Sequence, residues 1–311
     1  MSSVRPRIVL LRDFPPAVLE ALAEFGEVLV SPGGEVLRDE AAIRQVAAAD
    51  ALLVSPMDRV TAQMLAAAPR LRAISSASAG LDHIDLSTCR ARKIAVANAP
   101  DETTEPTADL AFGLILAAAR RLPAADRFVR SGDWRVGGET FWGLDVHHRT
   151  LGIIGFGRIG QAIARRAHGF SMPVLYHNRR PLPDSDAGGA SWRTLDALLA
   201  ESDFVVLQVP LTEETRHMIG ARELALMKPT AVLINTGRGG VIDEEALADA
   251  LEAKAIWQAA LDVFETEPSP LPRLLNCPNL VAAPHIGTAT VASRAAMAAQ
   301  AVSNLKALLA V

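Results

Sequence analysis

The stretch from Thr150 to Ala167 reads TLGIIGFGRIGQAIARRA. A short β-branched run leads into Gly155-Phe156-Gly157-Arg158-Ile159-Gly160 and then into a helical pattern. Each glycine has its own physical task in such a turn. Gly155 permits the tight bend, Gly157 lets a pyrophosphate approach without a Cβ in the way, and Gly160 lets helix and strand pack closely. The helix that opens at Arg158 and Ile159 points N–H groups at the phosphates. A strand precedes the turn and a second strand ends roughly 18 residues after it, so the motif predicts dinucleotide binding within a βαβ unit.

That second strand end bears on the choice of nucleotide. An NAD site usually places Asp or Glu there to accept from the ribose 2′-OH. This chain has Asn178-Arg179-Arg180. Neutral Asn178 removes repulsion against a 2′-phosphate, and the guanidinium groups of Arg179 and Arg180 suit phosphate by bidentate hydrogen bonding. The expectation is NADP(H), with NAD(H) as the second choice; the plainer reading is that both arginines only solvate the loop before Pro181.

Outward from this turn, short β-branched runs recur at Arg7 to Leu11, Glu27 to Val30, Ala51 to Val54, Arg72 to Ser75 and Ile94 to Ala97. They continue at Thr150 to Ile154, Val174 to His177, Phe204 to Leu207, Ala231 to Ile234, Trp257 to Leu261 and Leu280 to Ala283. Helix-length segments separate most of them, which predicts an α/β class with parallel sheets and crossover helices. Eleven runs crowd one open sheet, and the helical region from Thr107 to about Arg130 breaks the rhythm between the fifth and sixth, so two doubly wound sheets are expected. The Ala-rich segment from about Ala289 to Leu309 has no strand after it and is expected to pack back on the first domain.

Composition excludes several classes. The 311 residues are half hydrophobic, 21% are charged, and the net charge is -4, so neither disorder nor a global basic field for nucleic acid fits. The longest apolar run, Leu110 to Ala119, is followed by Arg120-Arg121 and is too short to span a bilayer. The apolar run after Arg5 and Arg7 is too short for a signal peptide, and Cys89 and Cys277 form no ligand-spaced cluster, so a cytoplasmic location is expected. His83, His147, His148, His168, His177 and His217 lack metal-ligand spacing, and no metal is expected.

Three further segments extend the reading: INTGRGGVIDEEAL (Ile234 to Leu247), ALDVFETEP (Ala260 to Pro268) and PHIGTAT (Pro284 to Thr290). With SAGLDHIDL (Ser78 to Leu86), NAPDETTEPTADLA (Asn98 to Ala111) and SDFVVLQVPLTEET (Ser202 to Thr215), they resemble the D-isomer-specific 2-hydroxyacid dehydrogenases over nearly the whole chain. In character the resemblance is closest to glyoxylate and hydroxypyruvate reductases. It implies a Rossmann cofactor domain at 99–285 inserted into a flavodoxin-like substrate domain at 1–98 plus 286–311, with closure between them on a small 2-oxo acid.

The resemblance assigns Arg238, Glu267 and His285 as the catalytic triad, and the chemistry explains the choice. Reduction of a 2-oxo acid needs a proton on the carbonyl oxygen, which a histidinium supplies near neutral pH. A carboxylate on the other ring nitrogen orients it, and a guanidinium holds the substrate carboxylate and polarises the carbonyl. Backbone N–H groups at Ala79 and Gly80 are implied to bind that carboxylate too. Further cofactor contacts are implied at Thr104, Val209, Pro210, Thr215, Thr236, Gly237 and Asp262, the last near the carboxamide. Candidate pocket residues are Ser55, Pro56, Met57 and Trp142.

The chain departs from the family pattern at Gln208, where many relatives have His, and at His148, where many have Gly; Pro106 near the start of the long helix is tolerated if it lies in the first turn. The family implies a homodimer through Leu110 to Ala119 and an arm from Trp134 to Trp142. Alternatives kept open are a reductase of a sugar-derived 2-oxo acid such as 2-ketogluconate, and a nucleotide-sensing corepressor-like binding protein.

Overall fold

The computed structural model describes residues 5–30, 40–135 and 141–310. The chain divides into two compact units, one of residues 1–103 with 288–311 and the other of residues 104–287. Both are parallel α/β sheets, the class the alternation of strand and helix patterns predicts.

In the first unit, β1 (Arg7–Leu10), β2 (Glu27–Val30), β3 (Ala51–Val54), β4 (Ala73–Ser76) and β5 (Ala95–Ala97) form a parallel sheet in the order β2-β1-β3-β4-β5. Side chains alternate between two cores, Val9, Leu52, Val54 and Ile74 on one face and Ile8, Leu10, Leu53 and Ala73 on the other. Strands buried on both faces read as continuous apolar runs, which is why they stand out in the sequence. The helix Val291–Leu309 covers the second face with Ala298, Ala301, Val302 and Leu305, and Thr290 caps it by accepting from the Ser293 N–H.

The second unit carries β6 (Leu151–Ile154), β7 (Val174–His177), β8 (Ser191–Trp192), β9 (Phe204–Leu207), β10 (Val232–Asn235), β11 (Gln258–Leu261) and β12 (Leu280–Ala282). Their order is β12-β11-β10-β9-β6-β7-β8, all parallel. The chain winds from β6 outward through β7 and β8, then returns to the other flank of β6 at β9. That reversal makes the carboxyl ends of β6 and β9 a topological switch point, the place where open α/β sheets bind ligands.

Two expectations need correcting. Among the described residues twelve strands form rather than eleven; β8 was missed because its two residues, Ser191 and Trp192, are both exposed and give no apolar run. The helical region from Thr107 to Arg130 is two helices, Thr104–Ala119 and Leu122–Arg130, broken where Arg121 takes a left-handed φ of 54°. Pro106 falls in the first turn, where its missing N–H removes no helical bond. The apolar run Leu110 to Ala119, read as a buried or interface helix, is mostly core: Ala111, Phe112, Leu114, Ile115, Ala118 and Ala119 are buried inside the unit.

Candidate active site

At the Gly-rich turn, Gly155 has φ +96°, and a Cβ there would stand 2.4 Å from the Gln208 carbonyl oxygen. Only glycine meets both demands. Gly157 caps the helix Arg158–His168, and a Cβ built on it meets no atom within 4 Å. A Cβ on Gly160 would meet the Gly155 carbonyl at 2.4 Å, so this residue serves helix–strand packing. Gly157, as the N-cap, has no side chain to bond the first N–H groups of the helix. The arrangement fits a pyrophosphate, and it rests on packing clashes rather than on the motif alone.

Asn178 follows β7, and its side-chain oxygen accepts from the Phe156 N–H at 2.8 Å, bracing the turn from the neighbouring strand. The Trp192 indole N–H donates to the Asn178 carbonyl at 3.1 Å, so the short β8 fixes the same strand end. Arg179 and Arg180 are exposed, and among the described residues neither has an acidic partner.

The loop after β9 is held by its own side chains. Thr215 donates to the Pro210 carbonyl at 2.6 Å and accepts from the Thr212 N–H at 2.8 Å. Val209 lies between these bonds and Gln208, whose amide donates to the Thr236 hydroxyl. Gln208 is therefore a neutral donor. After β10, fully buried Asn235 clamps the next turn by donating to the Arg238 carbonyl at 2.9 Å and accepting from the Gly237 N–H at 3.0 Å. Thr104 begins the helix Thr104–Ala119, and Thr107 of its first turn lies against Gly287.

The three triad candidates belong to this one unit. His285 Nδ1 and Glu267 Oε2 are 2.7 Å apart. The other Glu267 oxygen accepts from the Phe264 N–H at 3.0 Å. Burial pushes the Glu267 carboxyl upward, but the His285 hydrogen bond and charge, the Phe264 N–H and the charge of Arg238 outweigh it and hold the group below the usual carboxylate range. A carboxylate ionised at neutral pH accepts from Nδ1–H and leaves Nε2 as the reactive nitrogen of the ring.

The backbone around these groups is tightly determined. Gly239, next to Arg238, packs so closely on Phe264 that a Cβ would stand 1.8 Å from the Phe264 carbonyl carbon, which ties the arginine turn to the segment carrying Glu267. Buried Glu244 accepts from the Glu265 N–H at 2.7 Å, and the Glu265 carboxylate pairs with Arg216 at 2.7 Å and His217 at 2.9 Å. His285 takes a left-handed φ of 54° and donates its N–H to the Asp262 carbonyl at 2.8 Å. The Asp262 carboxylate accepts from the N–H groups of Ile286 at 2.7 Å and Gly287 at 2.8 Å. Burial raises its pKa against the pull of those two donors. Asp262 thus anchors the histidine loop, a role the sequence does not disclose. Asn235 and Glu244 were missed as well; a polar residue ending an apolar strand or starting a helix was their only signal.

In the first unit, Ala79 and Gly80 follow β4, and Ser55, Pro56 and Met57 follow β3. Asp58 binds Arg12 at 2.8 Å and accepts from the Ser55 N–H at 2.7 Å. Trp142 is 76% exposed, and residues 136–140 of the predicted arm lie outside the described residues. His148 has φ 60°, as the glycine usual at its place would allow. Among the described residues no cluster could hold a metal, and no helix is long and apolar enough to cross a membrane.

The doubly wound fold and the glycine turn at its switch point define a nucleotide-dependent oxidoreductase scaffold, and the same unit carries the His285–Glu267 pair. The profile described as D-isomer specific 2-hydroxyacid dehydrogenase, NAD binding domain, matches residues 112–287, and the chain belongs to this family of NAD(P)-dependent oxidoreductases. It is 45% identical to a glyoxylate reductase of Thermococcus kodakarensis over 97% of this chain and 92% of the relative. It is 44% identical to a glyoxylate/hydroxypyruvate reductase B of Escherichia fergusonii, covering 98% and 95%. An NADPH-dependent glyoxylate/hydroxypyruvate reductase of Sinorhizobium meliloti, solved with NADP and malonate, superposes with a TM-score of 0.87 at 36% identity, covering 98% and 94%.

Proposed function

We propose that this chain catalyses NADPH-dependent reduction of a small 2-oxo acid, of the glyoxylate or hydroxypyruvate type, to the D-2-hydroxy acid. The observation that carries the reading is the 2.7 Å pair of His285 Nδ1 with Glu267, beside a guanidinium whose charge acts on that carboxylate. The bound reduced nicotinamide supplies the hydride that the carbonyl carbon accepts. His285 gives the Nε2 proton to the carbonyl oxygen as the carbonyl π bond opens, and Glu267 holds the imidazolium in place. Arg238 and the backbone N–H groups of Ala79 and Gly80 bind the substrate carboxylate. The names of the relatives support the substrate class.

Preference for NADPH rests on neutral Asn178 and on Arg179 and Arg180, which have no acidic partner among the described residues and so keep their charge available to a 2′-phosphate. Gly155, Gly157, Arg158, Ile159 and Gly160 hold the pyrophosphate; Thr104, Val209, Pro210, Thr215, Thr236, Gly237 and Asp262 line the rest of the cofactor site. In this reading residues 99–285 serve the cofactor and 1–98 with 286–311 the substrate. The protein works in the cytoplasm, where its two free thiols, Cys89 and Cys277, stay reduced, and as a homodimer. Initial rates at 340 nm with a panel of 2-oxo acids, each with NADPH and NADH, test the reading. A larger kcat/KM with NADPH and with glyoxylate or hydroxypyruvate is expected; a larger value with NADH overturns the cofactor assignment, and no turnover of any 2-oxo acid overturns the reaction.

A further inference from the structure

The loop after β4 holds a chain of hydrogen bonds whose direction can be worked out by counting protons. The Ser78 hydroxyl donates to the Gly80 carbonyl at 2.6 Å. A hydroxyl has one proton, so in the 2.7 Å contact of Ser76 Oγ with Ser78 Oγ the donor is Ser76. Ser76 has then used its own proton, so the 2.9 Å contact with His83 Nε2 must be donated by His83. The chain runs from His83 through Ser76 and Ser78 to the Gly80 carbonyl, with Ser76 and Ser78 buried.

Two more bonds act on the same loop. The Asn98 amide donates to the Ala79 carbonyl at 2.6 Å, and the Ala99 N–H donates to the Ser78 carbonyl at 2.8 Å. Three successive carbonyls, those of Ser78, Ala79 and Gly80, are therefore held by the protein. These peptide bonds are trans, so each carbonyl points opposite to the N–H of the following residue. The N–H groups of Ala79, Gly80 and Leu81 are thus turned away from the groups that hold the carbonyls, and among the described residues they donate to no acceptor. Three consecutive N–H groups without an acceptor are open to an anionic ligand.

We infer that Ser78, backed by Ser76 and His83, is a positioning residue that sets the carboxylate-binding loop before substrate arrives, and that the Leu81 N–H is a third donor to the carboxylate. This rests on the proposed reduction of 2-oxo acids, with Ala79 and Gly80 as its carboxylate loop. Ser78 holds the peptide that carries the Leu81 N–H, and Asn98 holds the one that carries the Gly80 N–H. His83 must keep a proton on Nε2, which both its cationic form and one neutral tautomer satisfy, so this orientation survives protonation of the ring.

The test uses Ser78→Ala and Ser78→Thr in the full chain. Oxalate, as a carboxylate probe, is titrated calorimetrically into the NADP-loaded protein, and glyoxylate kinetics are measured separately. Losing one orienting hydrogen bond should weaken oxalate binding and raise the glyoxylate KM about five- to tenfold, with kcat within about twofold and the NADPH Kd unchanged. Ser78→Thr, which keeps the hydroxyl, should restore most of the loss; an unaltered melting temperature and NADPH Kd show that the variants are folded. Equal oxalate affinity in wild type and Ser78→Ala, a wild type that does not bind oxalate, or a fall in kcat alone overturns the inference. A wild type that binds oxalate yet reduces no 2-oxo acid overturns the proposed reaction instead, while the oxalate comparison still decides the role of Ser78.

Discussion

At the scale of single residues, the proposed chemistry depends on the ionisation of Glu267. Its carboxyl lies below the usual range because the His285 and Arg238 charges outweigh its burial. The stability of its ionised form is present above the unfolded carboxyl value of about 4.3 and is lost as pH falls through the lower folded value. Thermal melts should therefore show wild type losing stability more steeply than Glu267→Gln below about pH 4.3. Parallel slopes would mean that the His285 contact does not stabilise the ionised group. In reduction assays, His285→Ala and Glu267→Gln should each lower kcat by roughly 10² or more, since one removes the proposed proton donor and the other its proposed orienter, with NADPH affinity nearly intact. Equal activity in the His285 variant removes it from the role of acid. The pair is legible in the sequence through the family resemblance of ALDVFETEP and PHIGTAT, and the chemistry accounts for its residue types. Asp262 is not legible in the same way: a sequence shows a carboxyl after a strand, but only the fold shows it accepting from Ile286 and Gly287 and so fixing the left-handed His285.

At the scale of elements, the strands that the sequence discloses are those buried on both faces, such as β6, β9 and β10, whose apolar runs leave no other reading. The exposed β8 and the helix break at Arg121 leave no such trace, because one depends on edge pairing and the other on a backbone conformation an arginine rarely takes. The glycines were legible as a motif, yet the motif does not separate those required by packing from those required by a ligand. The clash geometry does. A Cβ on Gly157 meets nothing within 4 Å, whereas one on Gly239 stands 1.8 Å from backbone of the segment that carries Glu267. Gly157→Ala should keep its melting temperature while its NADPH Kd, followed by nicotinamide fluorescence, rises about tenfold. Gly239→Ala should lower the melting temperature and displace Glu267, with kcat falling. The reverse pattern would show that Gly157 serves the fold and not the pyrophosphate.

At the scale of the whole molecule, the apolar surface left uncovered decides how the proposed homodimer forms. The run Leu110 to Ala119 cannot supply most of it, being largely core. The helix Leu122–Arg130 can, because it has no buried residue, Leu122 and Val129 are 53% and 52% exposed, and Trp134 beyond it is 72% exposed. Phe128 of this helix packs on Phe141 with ring centroids 5.1 Å apart, and the neighbouring Trp142 is 76% exposed. Several large apolar side chains exposed on one helix and just beyond it are what an association site needs, and a charge placed among them carries a desolvation cost that pairing must overcome. Light scattering on a sizing column at micromolar concentration should give wild type about twice the 33.0 kDa chain mass. Val129→Glu combined with Leu122→Glu should shift the mass to a single chain without lowering NADPH affinity, since neither residue lies at the carboxyl ends of β6, β7 or β9. A wild type that elutes as a single chain overturns the homodimer, and a double variant that stays dimeric moves the interface off this helix.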